Sequence, residues 1–117
     1  MAYIKVWVHF VWTNKMRQPI LTKNVKSKVI AHIKENAFKK DIYIDWVADG
    51  MHDLRALISL GAKQSVSEVG QLLKGDASFW INKENLVKGK FEWQDKYFAI
   101  SVSESVLPKV RKYIRNQ

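Results

Sequence analysis

The chain has 117 residues, and its 47% hydrophobic and 26% charged residues are typical of one globular domain, here residues 1–117. Lysine and arginine outnumber aspartate and glutamate by 20 to 11, and the formal net charge of +9 favours a polyanionic partner, nucleic acid before an anionic membrane surface. The absence of cysteine excludes disulfides, thiolate metal sites and cysteine catalysis. No transmembrane run or signal-peptide pattern is present, so we expect a cytoplasmic protein that does not act at a membrane.

Taken in chain order, the hydrophobic patterns predict alternating strands and helices. Alternating and β-branched runs predict strands over residues 2–12, 41–49, 55–61 and 97–103. Apolar positions at helical spacing predict helices over residues 23–39, 65–75, 76 or 78 to 86, and 104–117. Thr22 is the expected cap of the first helix, and Ser65 with Glu68 forms a capping box for the second helix, which Lys74-Gly75 ends. The short connection between the second and third strands predicts that they form an antiparallel pair. The order β, α, β, β, α, α, β, α predicts one α+β domain, a ferredoxin-like or RNA-recognition-like antiparallel sheet with packed helices.

The last predicted helix carries a phenol and an amide on one face. Tyr113 and Gln117 stand four residues apart, so they are neighbours on the helix surface. They could be a nucleophile beside a metal ligand, or ordinary packing beside a helix end. His9, in the first strand, is likewise either a histidine at the edge of the core or part of a site on that face.

Several stretches together resemble one family, the small tyrosine transposases of the HUH type that act on single-stranded DNA, with their repeat-associated relatives. The resemblance covers essentially the whole chain. The matching stretches are His9 to Lys15 followed by Arg17 and Pro19, Gly50-Met51 before Leu57-Ile58-Ser59-Leu60, Leu72 to Gly75 with Ser78, Phe91 to Gln94 with Tyr97-Phe98-Ala99, and Ser101 to Ser103 with Tyr113 to Gln117.

The resemblance implies a specific chemistry. In this family two histidines that are separated by one residue on a strand, together with a glutamine of the last helix, hold Mg²⁺ or Mn²⁺. The metal polarises the scissile phosphate. A helix tyrosine attacks and forms a 5′-phosphotyrosine. Tyr113 matches that nucleophile and Gln117 matches the glutamine ligand. The resemblance also implies single-stranded or hairpin DNA as the partner and a homodimer.

The chain departs from the family at the two histidines. The run from Gly50 to Leu60 is one residue short of the pattern. Aligned from the left, the histidine positions fall on Leu54 and Ala56. Aligned from the right, on Leu57-Ile58-Ser59, they fall on Asp53 and Arg55.

Neither alignment restores the histidine pair. A rescued site, in which His52, Asp53 or Asp49 joins Gln117 to hold magnesium or manganese, is conceivable. Our hypothesis is that the protein is an inactivated or impaired derivative of such a transposase.

A second hypothesis needs no metal. The chain would then be a nucleic-acid-binding module in which exposed Trp or Phe side chains stack on bases and basic residues contact phosphates. The basic residues that we expect to contact DNA are Lys15, Arg17, Arg55, Lys74, Lys88, Lys90 and Arg111. A third hypothesis is a structural dimeric domain with no role in nucleic-acid binding.

Overall fold

Four strands and three α-helices build the molecule. The computed structural model describes residues 4–15, 23–49, 53–87 and 89–115, and it describes the backbone alone at 23, 49, 104 and 113–115. The strands are β1 (Val6–Asn14), β2 (Tyr43–Asp49), β3 (Asp53–Leu60) and β4 (Trp93–Val102). The helices are α1 (Lys23–Lys39), α2 (Val66–Lys83) and α3 (Leu107–Arg115). No helix within these ranges has the length and apolar character needed to cross a membrane.

The sheet has the strand order β2-β3-β1-β4, and each neighbouring pair is antiparallel. Helix α1 connects β1 to β2, and α2 connects β3 to β4. This βαββαβ order is the ferredoxin-like arrangement, so the predicted α+β class and antiparallel sheet are confirmed. The predicted pairing of the second and third strands is confirmed as well.

The two faces of the sheet have different coverings. Even-numbered residues of the central strands, such as Phe10 and Ile58, point into a large core shared with α1 and α2. The opposite face carries α3, whose Leu107 packs against Trp7 and Leu57. Because side chains alternate along a strand, odd-numbered residues of β1 and β3 share this second face. We call it the α3 face.

Helix α2 corrects one sequence prediction. We expected a helix over residues 65–75 that ends at Lys74-Gly75, followed by a second short helix, but one helix runs from Val66 to Lys83. Gly75 does not take the left-handed conformation that ends many helices at glycine, so nothing stops the helix there. The predicted cap is confirmed, because the Glu68 amide donates to Ser65 Oγ at 3.0 Å.

Other element boundaries shift by a few residues. Strand β1 extends to Asn14 rather than ending at Trp12, and β4 begins at Trp93 rather than Tyr97. Helix α1 has the predicted bounds, while its expected cap, Thr22, lies outside the described residues. In place of one helix from 104 to 117, a 3₁₀ turn (Glu104–Val106) precedes α3.

Candidate functional site

The first candidate site lies at the start of β3. Asp53 and Arg55 are odd-numbered residues of this strand and lie on the α3 face, where they pair across the sheet with Thr13 and Val11 of β1. The Arg55 guanidinium donates to Asp53 Oδ2 at 3.1 Å, and each side chain is about one-fifth exposed. The two residues therefore form an ion pair within one strand, on the sheet face that α3 packs against.

The even-numbered neighbours in β3 point the other way. Leu54 is 3% exposed and Ala56 is fully buried, and both belong to the core under α1 and α2. A histidine at either position would be buried in apolar packing. Of the two alignments left open by the sequence, the one that falls on Asp53 and Arg55 is the one that puts both positions on the α3 face.

His9 of β1 belongs to the same neighbourhood. It pairs with Leu57 of β3, one step along the α3 face from Arg55. Burial lowers the pKa of His9, the positive charge of Arg55 lowers it further, and the carboxylate of Asp53 acts in the opposite direction. The sequence left His9 open between core edge and site, and the fold brings it within electrostatic range of Asp53 and Arg55.

An ion pair fixes α3 on this face. Strand β2 has a bulge, because Ile44 pairs with Ile58 but Trp46 pairs with the adjacent Leu57, so Asp45 is the extra residue. Arg111 of α3 donates to both Asp45 oxygens, at 2.8 and 3.0 Å. Its guanidinium also lies 5.8 Å from the centre of the Trp7 ring. The contact with Asp45 raises the pKa of Arg111, mainly through the hydrogen bond.

A second candidate site is a cleft between α2 and the chain that leads into β4, which we call the α2–β4 cleft. Its volume is about 340 Å³, and it is lined by basic, polar and aromatic residues, among them Lys15, Lys74, Ser78, Lys90 and Glu92. Lys15 and Lys90 each contact the Glu92 carboxylate, at 3.2 and 3.1 Å. The Lys74 ammonium donates to the Asp95 carbonyl at 3.0 Å. The fold thus gathers three predicted DNA-binding residues from three separate segments.

A family model matches almost the whole chain. Residues 2–117 match the family model described as "Transposase IS200 like". The chain belongs to the IS200-like transposase family. No curated protein matches it.

Solved structures with a similar fold include two transposases. One is a putative transposase from Deinococcus radiodurans R1, with a TM-score of 0.79 and 19% identity over 99% of this chain and 93% of the other. The second is a REP-associated tyrosine transposase bound to a REP hairpin, with a TM-score of 0.66 and 14% identity. That alignment covers 97% of this chain and 66% of the other.

The described part of the chain does not offer a set of metal ligands. Within residues 4–15, 23–49, 53–87 and 89–115, no three His, Asp or Glu side chains are grouped so that they could hold a metal ion. The contact that Asp53 makes is with the permanent positive charge of Arg55, which opposes a cation at this place. A divalent ion therefore does not fit the described residues of the α3 face.

The remaining predicted residues fall into two groups. His52, Gln117, Arg17 and Lys88 lie outside the described residues, as does the side chain of Asp49. Tyr113 lies in α3, two residues after the anchored Arg111, and its backbone alone is described. The expected nucleophile thus belongs to the helix that packs on the α3 face.

Two contributors to these sites have no clear signal in the sequence. The sequence predicts a regular strand around Asp45, but a β-bulge at this residue directs its side chain toward Arg111. Glu92 sits inside a stretch that we matched to the family only as part of a motif. The sequence predicts that exposed Trp or Phe side chains stack on bases. Trp7, Trp12 and Trp93 are buried in the core, whereas Phe79 and Phe98 are each 66% exposed and therefore accessible for stacking.

Proposed function

We propose that this member of the IS200-like family binds single-stranded or hairpin DNA and lacks the metal-dependent strand cleavage expected of the family. The single observation that carries this proposal is the ion pair between Asp53 and Arg55, which stand at the histidine positions in the alignment from the right, the alignment that puts both positions on the α3 face. A carboxylate held by a guanidinium is a poor metal ligand, and a guanidinium cannot be one, because it has no lone pair to donate.

Three observations support DNA as the partner. The formal net charge is +9, which attracts polyanions at long range. Lys15, Lys74 and Lys90 converge on one cleft, where ammonium groups can contact successive phosphates. A structural neighbour with the same fold is bound to a REP hairpin, and this is consistent with a hairpin as the ligand here.

Arg55 would act in binding rather than in catalysis. Its planar guanidinium can hold a phosphate by charge and by paired hydrogen bonds. It lacks the open coordination positions with which a bound metal would hold the leaving oxygen and orient an in-line displacement. Tyr113 would then lie beside a bound strand without an activated phosphate to attack.

The test is incubation of the protein with a labelled hairpin that carries a single-stranded 5′ flank, in Mg²⁺, Mn²⁺ or chelator. We expect the same affinity in all three conditions, measured by fluorescence anisotropy, and no covalent protein–DNA adduct on a denaturing gel. The double variant D53H/R55H restores the histidine pair and is expected to bind Mn²⁺ more tightly than the wild type in calorimetry.

The matched control is Tyr113→Phe, which removes the phenol oxygen and little else. A wild-type adduct that disappears in Tyr113→Phe and in chelator would contradict the loss of cleavage and restore the enzymatic function. Failure of the wild type to bind either DNA form at low salt would contradict the binding function. The homodimer implied by the resemblance stays a prediction, which sedimentation equilibrium can check.

A further inference from the structure

A carboxylate stands between two ammonium groups at the α2–β4 cleft. Glu92 Oε2 lies 3.2 Å from Lys15 Nζ, and Glu92 Oε1 lies 3.1 Å from Lys90 Nζ. Each oxygen thus has its own lysine, and the carboxylate is 41% exposed, so it remains accessible from solvent. The hydrogen bond from Lys90, then that from Lys15, lowers the pKa of Glu92.

The backbone holds this carboxylate where it is. The Lys15 amide donates to the Glu92 carbonyl at 2.9 Å. On either side of Glu92, Phe91 is 1% exposed and Trp93 is 7% exposed, so both flanking side chains are anchored in the core. Asn82 of α2 clamps Phe91 through both its amide, at 2.7 Å, and its carbonyl, at 3.0 Å. The backbone position of Glu92 is therefore set by the fold.

Ammonium groups surround the Glu92 carboxylate as they would surround a bound anion. Lys74 adds a third ammonium group to the lining of the cleft. The Trp93 indole N–H donates to the Lys74 carbonyl at 3.1 Å, which ties α2 to the start of β4. A phosphodiester, like a carboxylate, offers two charged oxygens that two lysines can share.

We propose that the α2–β4 cleft binds a phosphodiester group of the DNA backbone and that Glu92 occupies this position, between Lys15 and Lys90, until the DNA displaces it. The inference rests on the proposed function, since it names where a bound strand contacts the protein. Glu92 weakens binding of any single phosphate, so that a strand is held here only when its other contacts compensate. The carboxylate thereby selects against short or isolated anions.

The experiment compares Glu92→Gln with Glu35→Gln on the full chain. Glu35 also belongs to a surface ion pair, with Lys39 at 3.2 Å in α1, so both substitutions raise the net charge equally. Affinity for the labelled hairpin is measured by anisotropy over a series of salt concentrations. We expect Glu92→Gln to bind on the order of fivefold more tightly than the wild type, and Glu35→Gln to bind about as tightly as the wild type.

A cycle with the lysines completes the test. In the variant K15Q/K90Q, binding should weaken, and the further change Glu92→Gln should no longer increase affinity, because the lysines that it releases are absent. Circular dichroism verifies that each variant is folded.

The outcomes separate the two proposals. If the wild type binds the hairpin and Glu92→Gln binds no better than Glu35→Gln, the displaced-carboxylate site is wrong and DNA binding stands. If the gain persists in K15Q/K90Q, the gain is a general charge effect and the site is also wrong. If no variant binds the hairpin, both proposals fall.

Discussion

Two glycines of α2 meet different surroundings. A Cβ atom on Gly70 would lie 2.8 Å from the ring and hydroxyl of Tyr97, whereas one on Gly75 would meet nothing within 4 Å. We expect Gly70→Ala to lower the free energy of unfolding by about 1–3 kcal/mol through overpacking. Gly75→Ala should raise it by about 0.5–1 kcal/mol, because alanine loses less backbone entropy in a helix.

Guanidinium denaturation followed by tryptophan fluorescence measures both changes. Gly75→Ala is the matched control, since it adds the same methyl group to the same helix. Equal effects of the two substitutions would mean that Tyr97 does not pack against Gly70.

At the residue level the sequence leaves two alignments open for the family's histidine positions, and it does not give the geometry at either. Asp53 and Arg55 were one of two alignments, and the choice depends on which strand face the large core uses. That choice follows from packing against α1 and α2, which come from distant parts of the chain. The gathering of Lys15, Lys74 and Lys90 around one cleft is likewise a tertiary effect, although each residue was predicted singly.

At the level of elements, an ion pair and an apolar cluster hold α3 against the sheet. Arg111 reaches Asp45 in the β2 bulge, and Val110 joins the apolar cluster of Trp7, Leu57 and Leu107. We expect Arg111→Ala to loosen α3 without loosening the central strands. Hydrogen exchange should therefore become faster for α3 amides and stay unchanged for β1 and β3.

Lys112→Ala is the control, because Lys112 is an exposed cation of the same helix. It should leave exchange in α3 nearly as in the wild type. Equal acceleration by the two variants would show that helix propensity or net charge, rather than the Asp45 contact, governs α3.

The elements themselves were largely predictable, and the miss in α2 has a physical cause. The hydrophobic periodicity predicted the bounds of α1 correctly, and the short connection between β2 and β3 predicted their antiparallel pairing. The sequence predicts a helix end at Gly75, but the apolar stripe of α2 continues on both sides of this glycine through Val69, Leu73, Ala77 and Ile81. Burial of that stripe outweighs the cost of one glycine in the helix interior, which is about 1 kcal/mol.

At the level of the whole molecule, DNA binding should depend steeply on salt. If Lys15, Lys74 and Lys90 each neutralise a phosphate of a single strand, the logarithm of the association constant should fall with the logarithm of salt concentration at a slope of about −2. The slope should flatten when all three are changed to glutamine. Anisotropy titrations at several salt concentrations measure it, and a slope unaffected by the triple change would place the DNA elsewhere on the protein.

The pleat of β3 divides one strand between two tasks. Its even-numbered residues, including Leu54 and Ala56, complete the core, and its odd-numbered residues, Asp53 and Arg55, face the opposite side. Mutation at an odd-numbered position can therefore remove a functional side chain, while selection for folding keeps the core-facing residues beside it. A strand built in this way can lose the residues that act on a substrate and still fold, since its core-facing residues do not depend on them.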